Sequence, residues 1–157
     1  MLEKITNKNC ELFEELAQDY EEEFSSITKK QRQADGRYKI DVDWHSLNAG
    51  FYWKKHGRVV GFVIKDQSEQ CADIGEFNII PSHRRCGAGK RMAFAIFNAF
   101  PGPWQVRQIQ GADAARHFWL RAITEYTQET YTELILVDPI WGKVTCQRFL
   151  SAPCKSL

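Results

Sequence analysis

The 157-residue sequence predicts a mixed α/β (α+β) fold as a single domain over residues 1–157. Three observations carry that reading. The predicted elements follow the order strand, one or two helices, three strands, helix, strand, helix, two strands. Two pairs of β-rich runs, 51–65 and 131–150, turn through segments containing Gly and read as antiparallel hairpins. Between Ile74 and Ala93 a strand pattern, a Gly-rich turn and a helix start follow one another without a gap. The length suffices to bury one core and leaves no room for a second domain.

Leu2 to Thr6 reads as a short first strand, and Asn7 or Asn9 is the expected cap of the helix after it. In that helix Leu12, Phe13, Leu16, Ala17, Tyr20 and Phe24 recur at helical spacing, while Glu11, Glu14, Glu15, Asp19, Glu21, Glu22 and Glu23 fill the other positions. The strongly acidic outer face is either solvated or a rim that attracts a cationic acceptor. Lys29 to Lys39 is polar and basic around Gly36, a loop or a broken second helix. Phe51 to Lys55 and Arg58 to Lys65 form a hairpin around His56-Gly57, and a polar turn from Asp66 to Gln70 leads into a strand from Cys71 to Ile80. Met92, Ala93, Ile96, Phe97 and Phe100 make one helical stripe, stopped by Pro101-Gly102-Pro103. Trp104 to Gln110 reads as a strand, and Ala112 to Ile123 as a helix carrying Ala115, Phe118, Trp119 and Ala122. Tyr131 to Val137 and Lys143 to Leu150 close the chain as a hairpin.

The turn after Ile80 is the most informative stretch. Pro81 ends the strand, Gly87 and Gly89 flank Ala88 as the helix begins, and Arg84, Arg85 and Lys90 add positive charge. Amides at a helix N-terminus lack intrahelical partners and carry partial positive charge, so this is a phosphate cradle in outline. A Walker loop would need Gly and Ser or Thr where Arg84 and Arg91 stand, and a dinucleotide fingerprint would need Gly in place of Met92. What remains is Arg84-x-x-Gly87-x-Gly89 behind an apolar strand, which resembles the Arg/Gln-x-x-Gly-x-Gly/Ala signature of the GNAT superfamily of acyl-CoA-dependent N-acyltransferases. The element order resembles that family over essentially the whole chain. Ala115-Arg116-His117-Phe118-Trp119 is similar to a second family segment, with Trp119 where many members have Tyr.

The resemblance implies a central mixed, mostly antiparallel sheet of six to seven strands, flanked by helices and splayed between the fourth and fifth strands. It implies acetyl-CoA as co-substrate, its pantetheine arm bonded to backbone at Asn78, Ile79 and Ile80. Its pyrophosphate would lie on Arg84, Arg85, Cys86, Gly87, Ala88, Gly89 and Lys90, with Ala115 and Phe118 lining the other side. The implied reaction is transfer of the acetyl group to an amine of a small molecule or peptide, by direct attack in a ternary complex. Glu76 is the first choice for general base, because burial in an apolar strand would raise its pKa toward neutrality. Trp119 cannot usefully give up a proton, so Tyr126, Tyr131 or water is left to protonate the departing thiolate. The same departure supports an alternative, an acyl-CoA-binding module with weak or no transferase activity. Cys86, at a helix start among cations, is expected to have a lowered thiol pKa if it is more than an incidental thiol.

A net charge of +1 argues against bulk attraction to nucleic acid or an anionic membrane, and the nucleic-acid reading of the Arg84–Arg91 patch is the weakest one. The chain shows no apolar run of membrane-span length and no signal-peptide core near Met1, which predicts a cytoplasmic protein. Five scattered cysteines without zinc spacing predict free thiols and no metal. His45, His56, His83 and His117 have no assignable partners in sequence, and a homodimer is left open.

Overall fold

The structure, a computed structural model, describes residues 1–42 and 49–152. It contains β1 (Leu2–Lys4), α1 (Cys10–Thr28), β2 (Gly50–Lys55), β3 (Arg58–Gln67), β4 (Ala72–Ile79), a single 3-10 turn (Pro81–His83), α2 (Ala88–Ala99), β5 (Gly102–Ile109), α3 (Asp113–Thr127), β6 (Thr132–Asp138) and β7 (Gly142–Ser151). The strands form a seven-stranded mixed sheet, mostly antiparallel, in the hydrogen-bonded order β1-β2-β3-β4-β5-β7-β6. The predicted order and fold class are those observed. The parallel pair β4–β5 is registered over Ala72↔Trp104 and Asp73↔Gln105, a ladder of two pairs, whereas β5–β7 continues from Gly102↔Ser151 to Ile109↔Val144. No helix among the described residues is long and apolar enough to cross a membrane.

The chain divides into two compact units, Met1–Ile64 with Gly75–Ala88, and Lys65–Ile74 with Gly89–Leu157. In the first, the apolar stripe of α1 buries Phe13 and Ala17 against Ile5, Tyr52, Phe62 and Ile64, with Phe13 edge-on to Phe62 at 5.2 Å. Asn9 stands at the start of α1 but does not cap it. Its Oδ1 instead accepts the Thr6 N–H at 2.7 Å and its Nδ2 donates to the Lys4 carbonyl at 3.1 Å, so it ties down the β1–α1 turn. His56 and Gly57 both take positive φ, the geometry that matches a two-residue hairpin turn to strand twist.

Segment 29–42 has no helix. It is held along α1 by Gln18, whose amide donates to the Tyr38 carbonyl at 2.9 Å and accepts the Tyr38 N–H at 2.8 Å. Its cations meet the acidic face: Lys30 pairs with Glu21 at 3.0 Å, Arg37 with Glu15 at 3.6 Å, and Arg32 with Glu22. Much of the acidic rim is thus neutralised by the chain's own next segment, and it is no simple lure for a cationic acceptor.

In the second unit, Met92, Ala93, Ile96 and Phe97 of α2 are fully buried, and Phe97 packs edge-on to Trp104 at 5.0 Å and to Phe149 at 4.9 Å. The helix α3 continues four residues beyond the expected Ile123. Tyr126 gives the reason: its ring packs on Phe94 and Phe97 at 5.1 Å each, and its hydroxyl bonds Asn98 and Ser151 at 2.8 Å each. Tertiary contact prolongs a helix whose sequence stripe had faded. The closing hairpin turns on Asp138, whose Oδ1 accepts the N–H groups of Ile140 and Trp141 at 2.8 and 2.9 Å. Cys10, Cys71, Cys86 and Cys146 are free, as expected, and Cys154 lies outside the described residues.

Candidate functional site

The Gly-rich turn folds as a backbone concavity. After the 3-10 turn, Arg84 is extended, Arg85 is left-handed at φ 60, Gly87 is left-handed at φ 76, and α2 begins at Ala88. The two left-handed residues bend the backbone sharply ahead of α2, and the first N–H groups of α2 have no intrahelical acceptor. Gly87 supplies its conformation without a Cβ penalty; Arg85 does not, and it holds a conformation that costs a side-chain-bearing residue about 1 kcal/mol. Arg84, Arg85, Cys86 and Gly87 are exposed, and the buried Ala88 anchors the helix start. The donor set therefore fits an anionic group such as a pyrophosphate.

The formal charges are distributed differently from the sequence pattern. Arg84 is engaged on three sides: Nε donates to the Ile79 carbonyl at 2.7 Å, Nη2 to Asn78 Oδ1 at 3.2 Å, and both Nη groups form a fork on the Glu23 carboxylate at 2.7 Å. That fork holds the Glu23 carboxyl below its ordinary range. Lys90 pairs with Glu125 of α3 at 2.9 Å. Among the described residues Arg85 makes no ion pair, so it is the cation of the turn that remains available to a ligand. Cys86 is exposed, and its Sγ donates to the His83 carbonyl at 2.9 Å.

On β4, Glu76 is half-buried, Asn78 and Ile79 are buried and Ile80 is half-buried. Alternation places Glu76 and Asn78 on one face of the strand. Tyr20 of α1 lies near enough to feel the charge of Glu76, a neighbour 56 positions away that no sequence pattern announces. Burial first, then the negative charge of Glu76, push the Tyr20 pKa well above the tyrosine range. The first unit thus brings together Glu76, Asn78, Ile79, Ile80 and Arg84, and adds Tyr20 and Glu23.

Residues 11–122 match the model of the acetyltransferase (GNAT) family. This chain belongs to the GNAT family. No curated protein matches its sequence. Among solved structures it is similar to an aminoglycoside 6'-N-acetyltransferase from Enterococcus faecium, at 10% identity and a TM-score of 0.61, with 99% of each chain covered. A spermidine N-acetyltransferase SpeG chimera from Vibrio cholerae and hSSAT is 12% identical, with a TM-score of 0.61 over 96% of this chain and 95% of that one. A Bacillus subtilis acetyltransferase in complex with CoA is 11% identical, with a TM-score of 0.52 over 96% of this chain and 97% of that one. At these identities the likeness is one of fold.

Within the GNAT fold the remaining expected residues lie on α3, in the second unit. Ala115 and Phe118 are half-buried, and Phe118 stands edge-on to Trp119 at 4.9 Å. Trp119 is buried and tilts against Phe97 at 6.3 Å, so packing explains an indole where many GNAT members carry a phenol. Tyr126 is committed to Asn98 and Ser151, and Ser151 in turn donates to the Phe97 carbonyl at 2.6 Å. Tyr131 accepts from Thr124 Oγ1 at 3.3 Å. His83 shares a hydrogen bond with Ser82 at 3.0 Å, His56 lies in the β2–β3 turn, His117 is exposed and His45 lies outside the described residues. Among the described residues no group of His, Cys, Asp and Glu is placed to hold a metal ion.

Proposed function

We propose that this GNAT-family chain transfers an acetyl group from acetyl-CoA to an amine of a small molecule or peptide, by direct attack in a ternary complex in the cytoplasm. The observation that carries the reading is the turn from Arg84 to Gly89: two left-handed residues and a helix start make a backbone cradle, inside a region that matches the family. In this reading the amides from Arg85 to Lys90 and the Arg85 guanidinium hold the pyrophosphate, while Arg84 acts mainly by holding the end of β4. The backbone of Asn78, Ile79 and Ile80 holds the pantetheine arm. Glu76 takes one proton from the acceptor ammonium and passes it to solvent, and water takes the second once the C–N bond has formed. The freed nitrogen lone pair attacks the thioester carbonyl, the C–N bond forms, the C–S bond breaks, and the thiolate leaves with a proton from Tyr126 or water. Donation by Tyr126 requires its hydroxyl to give up Asn98 or Ser151. Relatives named for aminoglycoside and spermidine acetylation support an amine acceptor without selecting one.

The burial of Trp119 favours one second reading, a module that holds acyl-CoA and turns it over slowly or not at all. Calorimetry with acetyl-CoA tests the shared part. The native chain is expected to bind in the micromolar range, Gly87→Asn to keep most of that affinity because Asn tolerates left-handed φ, and Gly87→Glu to lose it through bulk and charge. Equal binding by all three would reject the cradle. Thiol release in an amine screen then separates the two readings: an enzyme loses it in Glu76→Gln at unchanged acetyl-CoA affinity, and a binding module releases none to begin with.

A further inference from the structure

The sheet has two edges, and they are unlike. β1 is three residues long and its Glu3 is held by Lys54 at 2.6 Å, the short and charged form in which proteins blunt an edge. β6 is the other edge: among the described residues it pairs with β7 alone, in unbroken register from Thr132↔Arg148 to Asp138↔Gly142. It lacks the usual guards. Between Thr132 and Asp138 there is no Pro, Lys or Arg and no shift of register, and the middle of the strand reads Leu134-Ile135-Leu136-Val137. Ile135 and Val137 are 70% and 81% exposed. The two carboxylates of β6 are already matched within the chain, Glu133 by Arg116 at 2.9 Å and Asp138 by Arg107 at 3.5 Å. An apolar edge whose outward N–H and C=O groups have no strand beside them is a template for one.

Symmetry selects that strand. In an antiparallel pair, directly opposed residues alternate between hydrogen-bonded and non-hydrogen-bonded positions, so two identical strands related by a two-fold axis must set one residue opposite its own copy. With Ile135 on the axis all seven residues of β6 pair: Ile135 meets its copy, Leu134 meets Leu136, Glu133 meets Val137 and Thr132 meets Asp138. No carboxylate then faces a carboxylate, and the central pairs are apolar throughout. Pairing of β6 with β1 of another copy would cover only three residues and leave an edge open at each end for further copies.

We propose that β6 is a homodimer interface: two copies of this chain join edge to edge through antiparallel β6 strands about a two-fold axis at Ile135, making one continuous sheet. The assignment is independent of acetyl transfer.

Sedimentation equilibrium of the full chain, native and substituted at the axis, tests it. The native chain is expected to dimerise at about 10–100 µM. Ile135→Lys and Ile135→Glu each set like charges face to face and are expected to weaken the dimer about tenfold or more. Because Ile135 is exposed in the single chain, each variant should keep the native far-UV circular dichroism. An equimolar mixture of the two is expected to restore a one-to-one dimer, since opposite charges then meet. A native chain that stays monomeric at about 100 µM overturns the proposal and leaves the edge to an extended peptide of another protein. A native dimer that persists unchanged in both variants overturns it by putting the contact elsewhere. A mixture no more dimeric than either variant alone overturns it by denying that position 135 faces its own copy.

Discussion

Removing the Arg84 side chain tests whether this residue of the family motif is primarily a structural clamp. Arg84→Ala deletes the donor to the Ile79 carbonyl at 2.7 Å, the donor to Asn78 Oδ1 at 3.2 Å and the fork on Glu23. Ile79 and Asn78 are each 7% exposed, so two largely buried oxygens lose a cationic donor. Hydrogen bonds to charged groups contribute about 1.5–3 kcal/mol; the Arg84 side chain is 37% exposed, which places the β4 share near the lower end, about 1.5–2 kcal/mol. The Glu23 fork is solvent-screened and adds about 0.2–1 kcal/mol. The expected loss is about 2–3 kcal/mol, or a fall in Tm of about 4–10 °C for a chain of this size. Urea unfolding of Arg84→Ala, Glu23→Ala and the double variant measures each share. Glu23→Ala alone is expected to cost less than about 1 kcal/mol. Its share has a definite pH sign, because the folded pKa of Glu23 lies below the ordinary 4.5: the contribution is complete above that value and disappears as pH falls through the lowered folded value. A loss for Arg84→Ala no greater than that for Glu23→Ala would refute the clamp and return Arg84 to a purely ligand-facing role.

Two further outcomes follow from close contacts and burial. A Cβ on Gly61 of β3 would overlap the Asn78 carbonyl oxygen and lie 2.7 Å from Ile79 Cδ1 and 3.3 Å from Ile79 Cα, so Gly61→Ala must push β4 aside. The expected cost is about 1–3 kcal/mol in urea unfolding with weakened acetyl-CoA binding in calorimetry, and an unchanged unfolding midpoint would show that β4 yields freely. Asp73 is 3% exposed; Gln105 and Arg107 satisfy its Oδ2 at 2.9 and 2.8 Å, and its Oδ1 has no partner among the described residues. Burial therefore raises its pKa above the ordinary 3.8 despite the opposing pull of Arg107. A raised folded pKa stabilises the fold at low pH and loses that contribution as pH rises through it. The native chain should accordingly gain stability relative to Asp73→Asn as pH falls toward 3.8, and thermal melts showing a pH-independent difference would contradict this.

Much of the fold was legible because its signals are local. The order of elements followed from 3.6- and 2-residue periodicity, from Pro81 and Pro101, and from the His56-Gly57 turn, all of which act on neighbouring backbone. The cradle was legible for the same reason: Gly87 and Gly89, a strand before and an apolar stripe after lie within twenty residues. Its charges were less so. Arg84 and Lys90 look alike as ligand-facing cations until the fold supplies Glu23 and Glu125, which stand 61 and 35 positions away. The acidic face of α1 likewise looked solvent-facing until segment 29–42 lay along it. Asn9 was read as a cap and proved to be a turn clamp, since a side chain that can bond either way is decided by the nearer backbone.

Local pattern and turn chemistry are properties of consecutive residues, and they were enough to specify the strands, the helices, the Gly-rich turn and the family motif. Pairing is a property of distance in space. Only the folded chain could bring Glu23 to Arg84, commit Tyr126 to Asn98 and Ser151, bury Trp119 against Phe97, and leave Arg85 as the cation of its turn without an ion pair among the described residues. A side chain's charge, proton and hydrogen-bonding capacity are set by what stands within a few ångströms of it, and chain separation carries no information about that.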